Sequence, residues 1–238
     1  MKIRSLLRPM LLAVPFLVTC SRDKPFGEGV KGDPTDSLPA QFKTQEEVAK
    51  PDFATQASSP AFQQAIQDAA SLLGASPLPL HSEPEGEEVH GCVSFDVSQE
   101  KAVVQLRKAH ADFLARGFYL FRYQWSFGGK GCPDKIGLLP TTDKYAVIAA
   151  MGTNGDNYGI GTAGVIAWMK ELEQEHPFVL TGIGFDTLEG FFTAPVANPD
   201  SLAKLMYQFC PDIVDQGTET LGALASELRK GNLYFWWD

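Results

Sequence analysis

Eight residues near the middle of the chain, Phe118–Trp125, alternate between two faces in the manner of a β-strand. This is the clearest strand pattern in the sequence, so any fold for this chain must contain a sheet. One face would carry Tyr119, Phe121, Tyr123 and Trp125, and the other Phe118, Leu120, Arg122 and Gln124.

Helical and strand patterns interleave on both sides of this segment. Ser59-Pro60 predicts the start of a helix, and Ser98 predicts the start of another that ends at Gly117. No regular βαβ rhythm connects the elements, so the pattern predicts an α+β fold, with a mixed, largely antiparallel sheet covered by helices. Further strands are predicted at 89–97, 135–139, 178–184, 188–193 and 233–237, and the segment 76–88 is predicted to be a loop.

The first twenty residues are typical of an export signal. Lys2, Arg4 and Arg8 precede a short apolar run, Met10–Val18, that is too short to cross a bilayer as a helix. Leu17-Val18-Thr19-Cys20 resembles the lipobox of bacterial lipoproteins, in which the cysteine is acylated and becomes the new N-terminus. The alternative is an ordinary secretory signal with an incidental cysteine. The first interpretation predicts a membrane anchor on Cys20, and Ser21 after it favours the outer membrane, facing the periplasm or the surface.

The segment 21–59 is rich in proline and polar residues, and its few apolar residues have no period. Such a composition predicts a disordered tether, followed by a single domain over 60–238. The full sequence has a net charge of −9, and removal of the basic signal makes it more acidic. An acidic exported chain is a poor partner for nucleic acid, which would repel it.

Several strings in the second half of the chain resemble the bacterial domain-of-unknown-function 4253 family. They are Gly152-Thr153-Asn154-Gly155, Asn157-Tyr158-Gly159, Trp168 with Glu171, Gly182–Asp186, Phe209–Gly217 and Leu233–Asp238. The resemblance extends over about 117–238. It brings no catalytic residue to these positions, because no activity is established for that family.

Metal, cofactor and thiol motifs are weak. Gly159–Gly164 reads G-x-G-x-x-G, but a polar loop rather than a buried strand precedes it, so a helix cap is favoured over a nucleotide site. Cys210 falls at a predicted helix C-terminus, where a thiol is not activated. The sequence therefore predicts no metal and no cofactor. Export favours one disulfide, and Cys92–Cys132 is the predicted pair, since both lie outside the family strings and near adjacent strand ends.

Two carboxylate pairs and two aromatic residues are the candidate ligand-binding residues. Paired carboxylates can perform acid–base chemistry, but aspartates at turns and helix ends are more often structural. Aromatic side chains anchor interfaces when they are exposed. The candidates are Tyr123, Trp125, Asp186, Glu189, Asp212 and Asp215.

Two functional hypotheses follow. The first is a non-enzymatic, lipid-anchored envelope protein whose domain binds an envelope protein or other ligand; neutralising a toxin is one such role. The second is an envelope hydrolase that uses the four carboxylates, with or without a metal. The two hypotheses differ in whether these carboxylates converge in one pocket or stabilise separate elements.

Overall fold

The computed structural model of the chain describes residues 34–82, 86–126 and 132–238. The predicted export signal and Cys20 lie outside these residues. Seven strands form one sheet: β1 Leu78–His81, β2 Glu88–Val97, β3 Tyr119–Gln124, β4 Asp134–Leu139, β5 Phe178–Ile183, β6 Thr187–Phe192 and β7 Asn232–Trp236.

The described residues contain seven α-helices, and the two whose caps were predicted begin directly after Ser59 and Ser98. They are α1 Ala54–Ala57, α2 Pro60–Leu73, α3 Gln99–Ala115, α4 Lys144–Met151, α5 Thr162–Glu175, α6 Pro199–Phe209 and α7 Leu221–Arg229. Two 3-10 turns, Pro34–Ser37 and Asp156–Tyr158, and a π-helix, Ile213–Thr218, complete the described elements.

The sheet is mixed and largely antiparallel, as predicted. Its strand order is β1-β2-β4-β3-β5-β6-β7. The single parallel pair among the described strands joins β3 to β5, where Arg122 lies opposite Gly182. All other neighbouring strands are antiparallel. The α+β fold class inferred from the sequence is therefore confirmed.

Helices cover opposite faces of the two halves of the sheet. Apolar residues of α2 and α3 pack against β2, β3 and β4, in a cluster that includes Phe62, Phe113 and Leu120. Residues of α4, α5, α6 and α7 form the larger core with the inward residues of β5, β6 and β7. Successive residues of a strand point to opposite faces, so each half of the sheet has one helix-covered face.

The segment 34–59 corrects the predicted tether. Leu38, Phe42 and Phe53 are buried in the larger core, so this part of the segment 21–59 is packed on the domain. Its apolar residues have no helical or strand period because they contact the core from an irregular chain. Pattern analysis detects periods and therefore missed them.

Two glycines of the G-x-G-x-x-G string make room for this segment. The backbone N–H of Gly161 donates to the carbonyl of Thr44 at 2.9 Å. A Cβ atom at Gly161 would lie 2.6 Å from that oxygen, and one at Gly164 would lie 3.0 Å from the carbonyl carbon of Phe42. The glycines thus permit the close approach of two backbones, which is a structural reason for the string.

A second correction concerns the predicted loop 76–88. Leu78–His81 forms β1, an edge strand paired antiparallel to β2.

Among the described residues, no helix is both long enough and apolar enough to cross a membrane.

Candidate functional site

A row of four residues crosses the second half of the sheet. Arg122 on β3 lies opposite Gly182 on β5, which lies opposite Glu189 on β6, which lies opposite Tyr234 on β7. Residues paired in this way point to the same face of the sheet. Because Gly182 has no side chain, Arg122 and Glu189 can reach each other across β5.

Arg122 is a buried cation held between two carboxylates. Its Nη1 donates to Asp134 Oδ2 at 3.0 Å and its Nη2 donates to Glu189 Oε2. Asp134 is 0% exposed and Arg122 is 8% exposed. Asp134 also accepts the backbone N–H of Ser126 at 2.8 Å. A buried charge without its counterion strongly destabilises a fold, so Arg122 and Asp134 each require the other.

Trp125 closes one side of this ion cluster. Its Nε1 donates to Glu189 Oε2 at 3.0 Å, and the guanidinium of Arg122 lies 4.9 Å from its ring centroid. The indole lies over two glycines: a Cβ at Gly182 or Gly184 would approach its ring carbons to 2.7 or 2.9 Å. Gly182 on β5 and Gly184, which directly follows the strand, therefore form a platform for the tryptophan ring.

Beyond this cluster, the same face of β6 and β7 is accessible to solvent. Leu233 and Phe235 of β7 are buried, whereas Tyr234 and Trp236, which alternate with them, are half-buried. Phe191 on β6 is 39% exposed. We call Glu189, Phe191, Tyr234 and Trp236 the open face.

Two polar atoms of the open face lack partners within the described residues. Both hydrogen bonds to Glu189 end on Oε2, which leaves Oε1 without a donor. The Tyr234 hydroxyl likewise has no hydrogen-bond partner in this part of the chain. Burial, and then the charge of Glu189, raise the pKa of Tyr234, so its hydroxyl remains protonated at neutral pH.

A second polar cluster surrounds Asp212, which is 4% exposed. Its Oδ1 accepts the Tyr158 hydroxyl at 2.8 Å and Gln216 Nε2 at 2.9 Å, and its Oδ2 accepts the backbone N–H of Asp238 at 3.0 Å. Burial and the hydrogen bond to Asp212 raise the pKa of Tyr158. We call Asp212, Tyr158, Gln216 and Asp238 the closed cluster, because Asp212 is buried and its two oxygens accept three hydrogen bonds.

The family strings meet around the closed cluster. Thr153 Oγ1 donates to the Gly184 carbonyl at 2.6 Å, and the Trp168 ring stacks on Phe209 at 4.3 Å. Trp237 Nε1 donates to the Phe209 carbonyl at 3.2 Å. A Cβ at Gly155 would lie 2.6 Å from a ring carbon of Trp237. The strings therefore specify a packed junction between distant parts of the sequence.

The predicted disulfide is absent, since Cys92, Cys132 and Cys210 are all free thiols in the structure. Val93 pairs with Leu138 and Val97 with Asp134, so Cys92 and Cys132 lie at opposite ends of the β2–β4 ladder. About seven residues of strand separate them, or roughly 20 Å at the usual rise. Sequence analysis placed both residues near strand ends but assigned them to the same end.

Cys92, Cys210 and His110 are buried, whereas Cys132 is exposed. Cys210 caps α6 and donates to the Trp236 carbonyl at 3.0 Å; burial raises its pKa well above the ordinary value, so it is not a nucleophile at neutral pH. Burial also raises the pKa of Cys92, to about 12. His110 is a core residue whose Nδ1 lies 2.8 Å from the Leu120 carbonyl.

The structure brings together only part of the predicted candidate set. Trp125 and Glu189 are in direct contact. Asp186 lies nearby, where its charge acts on Tyr234, although its Oδ1 accepts the Thr187 hydroxyl at 2.8 Å. Tyr123 is buried in the larger core.

The second carboxylate pair lies apart from Glu189. Asp212 belongs to the closed cluster, and Asp215 is exposed and accepts the Tyr207 hydroxyl at 3.1 Å. One of the hydrogen bonds that Asp212 accepts comes from a backbone N–H, that of Asp238. The four carboxylates do not converge on one pocket.

Three residues of the site were missed by sequence analysis: Arg122, Asp134 and Tyr234. Arg122 carried a signal, since it is the only charged residue within the strand pattern Phe118–Trp125. A lone arginine on such a strand requires a carboxylate partner, and strand register decides which one.

Neither of two concave pockets is lined by a residue of the open face. The described ranges contain no group of three or more His, Cys, Asp or Glu side chains arranged to hold a metal ion. Two concave pockets lie elsewhere: one of about 270 Å³ lined by Pro79, Ser94, Tyr123 and Lys135, and one of about 200 Å³ beside Lys144 and Tyr145. An accessible sheet face suits a polypeptide better than a small molecule, because small-molecule sites are concave.

Comparison with known proteins gives one match. No curated protein and no solved structure matches the chain. Residues 135–238 match the family described as a domain of unknown function, DUF4253. This segment is shorter than the resemblance over 117–238 expected from the strings. It includes Glu189 and Tyr234, whereas Arg122, Trp125 and Asp134 precede it.

Proposed function

We propose that this protein is a non-enzymatic binding module, held at the bacterial envelope by a lipid on Cys20, and that the open face contacts its partner. The observation that carries the proposal is an accessible sheet face with half-buried aromatic side chains beside a fixed carboxylate. Aromatic side chains on a rigid element are the usual anchors of protein interfaces. Strands β6 and β7 are such an element.

The contacts of the carboxylates support binding rather than hydrolysis. A hydrolase that works with paired carboxyl groups needs one as acid and the other as base or nucleophile at the reacting bond. Here Glu189 is ion-paired to Arg122, and Asp212 accepts three hydrogen bonds. These groups stabilise the fold, and their arrangement does not favour the carboxylate hydrolase considered from the sequence.

Photo-cross-linking in living bacteria tests the binding role. A photoreactive residue replaces Phe191 on the open face, and the matched control replaces Leu72 on α2, whose exposure is nearly the same (39% and 37%). We expect adducts of defined mass from position 191 and none from position 72. Equal adducts from both positions, or none from either, would contradict the proposed surface.

The anchor is tested separately. Cys20→Ser in the full chain should move the protein from the membrane fraction to the soluble fraction, because the acyl chains supply the attachment. If the variant stays in the membrane fraction, the anchor is wrong and the binding role is unaffected.

A further inference from the structure

We infer that the open face takes a cationic side chain, the ammonium of lysine or the guanidinium of arginine, from a basic segment of a partner protein. The inference rests on the proposed function and names the chemistry of the partner. It is carried by charge and by the two unpartnered polar atoms of the face.

The charge around the open face is negative. Arg122 is a single guanidinium shared by two carboxylates, because its two terminal nitrogens donate to Asp134 and Glu189, and the negative charge of Asp186 acts on Tyr234. The chain as a whole has a net charge of −9. A basic segment would therefore be attracted over distance and would meet two carboxylates that share one guanidinium.

The geometry of the face suits a hydrogen-bonding cation. Glu189 Oε1 accepts no hydrogen bond within the described residues, and its carboxylate is held in place by Arg122 and Trp125 through Oε2. The Tyr234 hydroxyl, opposite Glu189 on β7, is a second acceptor. The half-buried rings of Tyr234 and Trp236 supply the aromatic faces on which ammonium and guanidinium groups bind.

Titration with a synthetic peptide of alternating lysine and threonine, and with its glutamate counterpart, tests the inference on the full chain. We expect only the lysine peptide to bind. Glu189→Gln should raise the Kd for this peptide about tenfold, as the loss of a charged hydrogen bond implies. The matched control Glu175→Gln removes the same charge from an exposed site at the end of α5 and should change Kd by less than about twofold.

Tyr234→Phe keeps the ring and removes only the hydroxyl. This variant should raise the Kd about threefold. It also tests the inference if Glu189→Gln does not fold. Equal losses from Glu189→Gln and Glu175→Gln would mean unspecific attraction, and binding of the glutamate peptide would reverse the assigned charge. Either result overturns the inference.

The cross-linking result separates this inference from the proposed function. If position 191 still cross-links a partner but the lysine peptide does not bind, the face is an interaction surface and the cationic chemistry is wrong. If position 191 cross-links only a second copy of this chain, the face is a homodimer surface and the inference also fails. If position 191 yields no adduct, the proposed function fails with it.

Discussion

The open face lies on strands β6 and β7, whereas the closed cluster is formed by residues of a 3-10 turn, the π-helix segment and Asp238 after β7. These two polar regions differ in their relation to solvent. In the closed cluster, Asp212 is 4% exposed and both of its oxygens accept hydrogen bonds from the protein. On the open face, the Glu189 side chain is 37% exposed and one of its oxygens has no partner in the described chain. The comparison separates a carboxylate used wholly for stability from one that retains an acceptor for another molecule.

The ion pair beneath the open face should have the largest effect on stability. Arg122→Met leaves the buried carboxylate of Asp134 without a counterion, which should lower the free energy of unfolding by about 4 kcal/mol. Chemical denaturation measures the change. The double variant Arg122→Met, Asp134→Leu should regain part of the loss, and a double variant less stable than the single one would contradict the pairing.

Substitution of Asp212 should cause the second largest loss of stability. Asp212→Ala removes three hydrogen bonds from a buried position and should cost about 3 kcal/mol. Asp215→Ala is the matched control on the same π-helix segment; it removes an exposed carboxylate and should cost under about 1 kcal/mol. Similar losses from both variants would remove the distinction between a closed and an accessible carboxylate.

The glycine platform beneath Trp125 should have an intermediate effect. Gly182→Ala would bring a methyl group to 2.7 Å from the indole and 2.9 Å from the Cβ of Glu189, which should cost about 2 kcal/mol and shift the tryptophan fluorescence. Gly222→Ala on α7 is the control, since nothing lies within 4 Å of its added Cβ. That control should be neutral or stabilising, because alanine favours a helix.

His110 should have the smallest effect, and it depends on pH. Burial lowers its pKa below the ordinary value of about 6.5, so the unfolded chain binds this proton more readily than the folded chain. The free energy of unfolding should therefore fall, by about 1 kcal/mol, as the pH drops below about 6.5. Above that pH the stabilising contribution of neutral His110 is fully present.

Denaturation curves at several pH values measure this slope. His110→Gln should flatten this slope below about pH 6.5, because it removes the titrating group. An unchanged slope in His110→Gln would assign the pH dependence to other groups.

The helices, most strands and the fold class could be predicted from the sequence because each has a local signal. Ser59, for example, caps α2, and Gly74 ends it with φ of 63°. The strand β1 and the packed segment 34–59 have no such signal, since an edge strand of four residues and an irregular chain leave no period to detect.

Half of the candidate site depended on strand register, which local patterns do not contain. Trp125 and Glu189 were found as residue types, but their contact requires β3 to lie beside β5. The same register separates Cys92 from Cys132 and brings Asp134 to Arg122. Asp212 was found at a helix end, whereas its partner Asp238 is contributed by the chain terminus.

Chemical-shift mapping of the full chain with the lysine–threonine peptide tests the central claim most directly. The account predicts that backbone shifts on titration are confined to β6, β7 and the Arg122–Trp125 segment, while the residues of the closed cluster keep their positions in the spectrum. Shifts centred on Tyr158, Asp212 and Asp238, or no shifts at all, would contradict it.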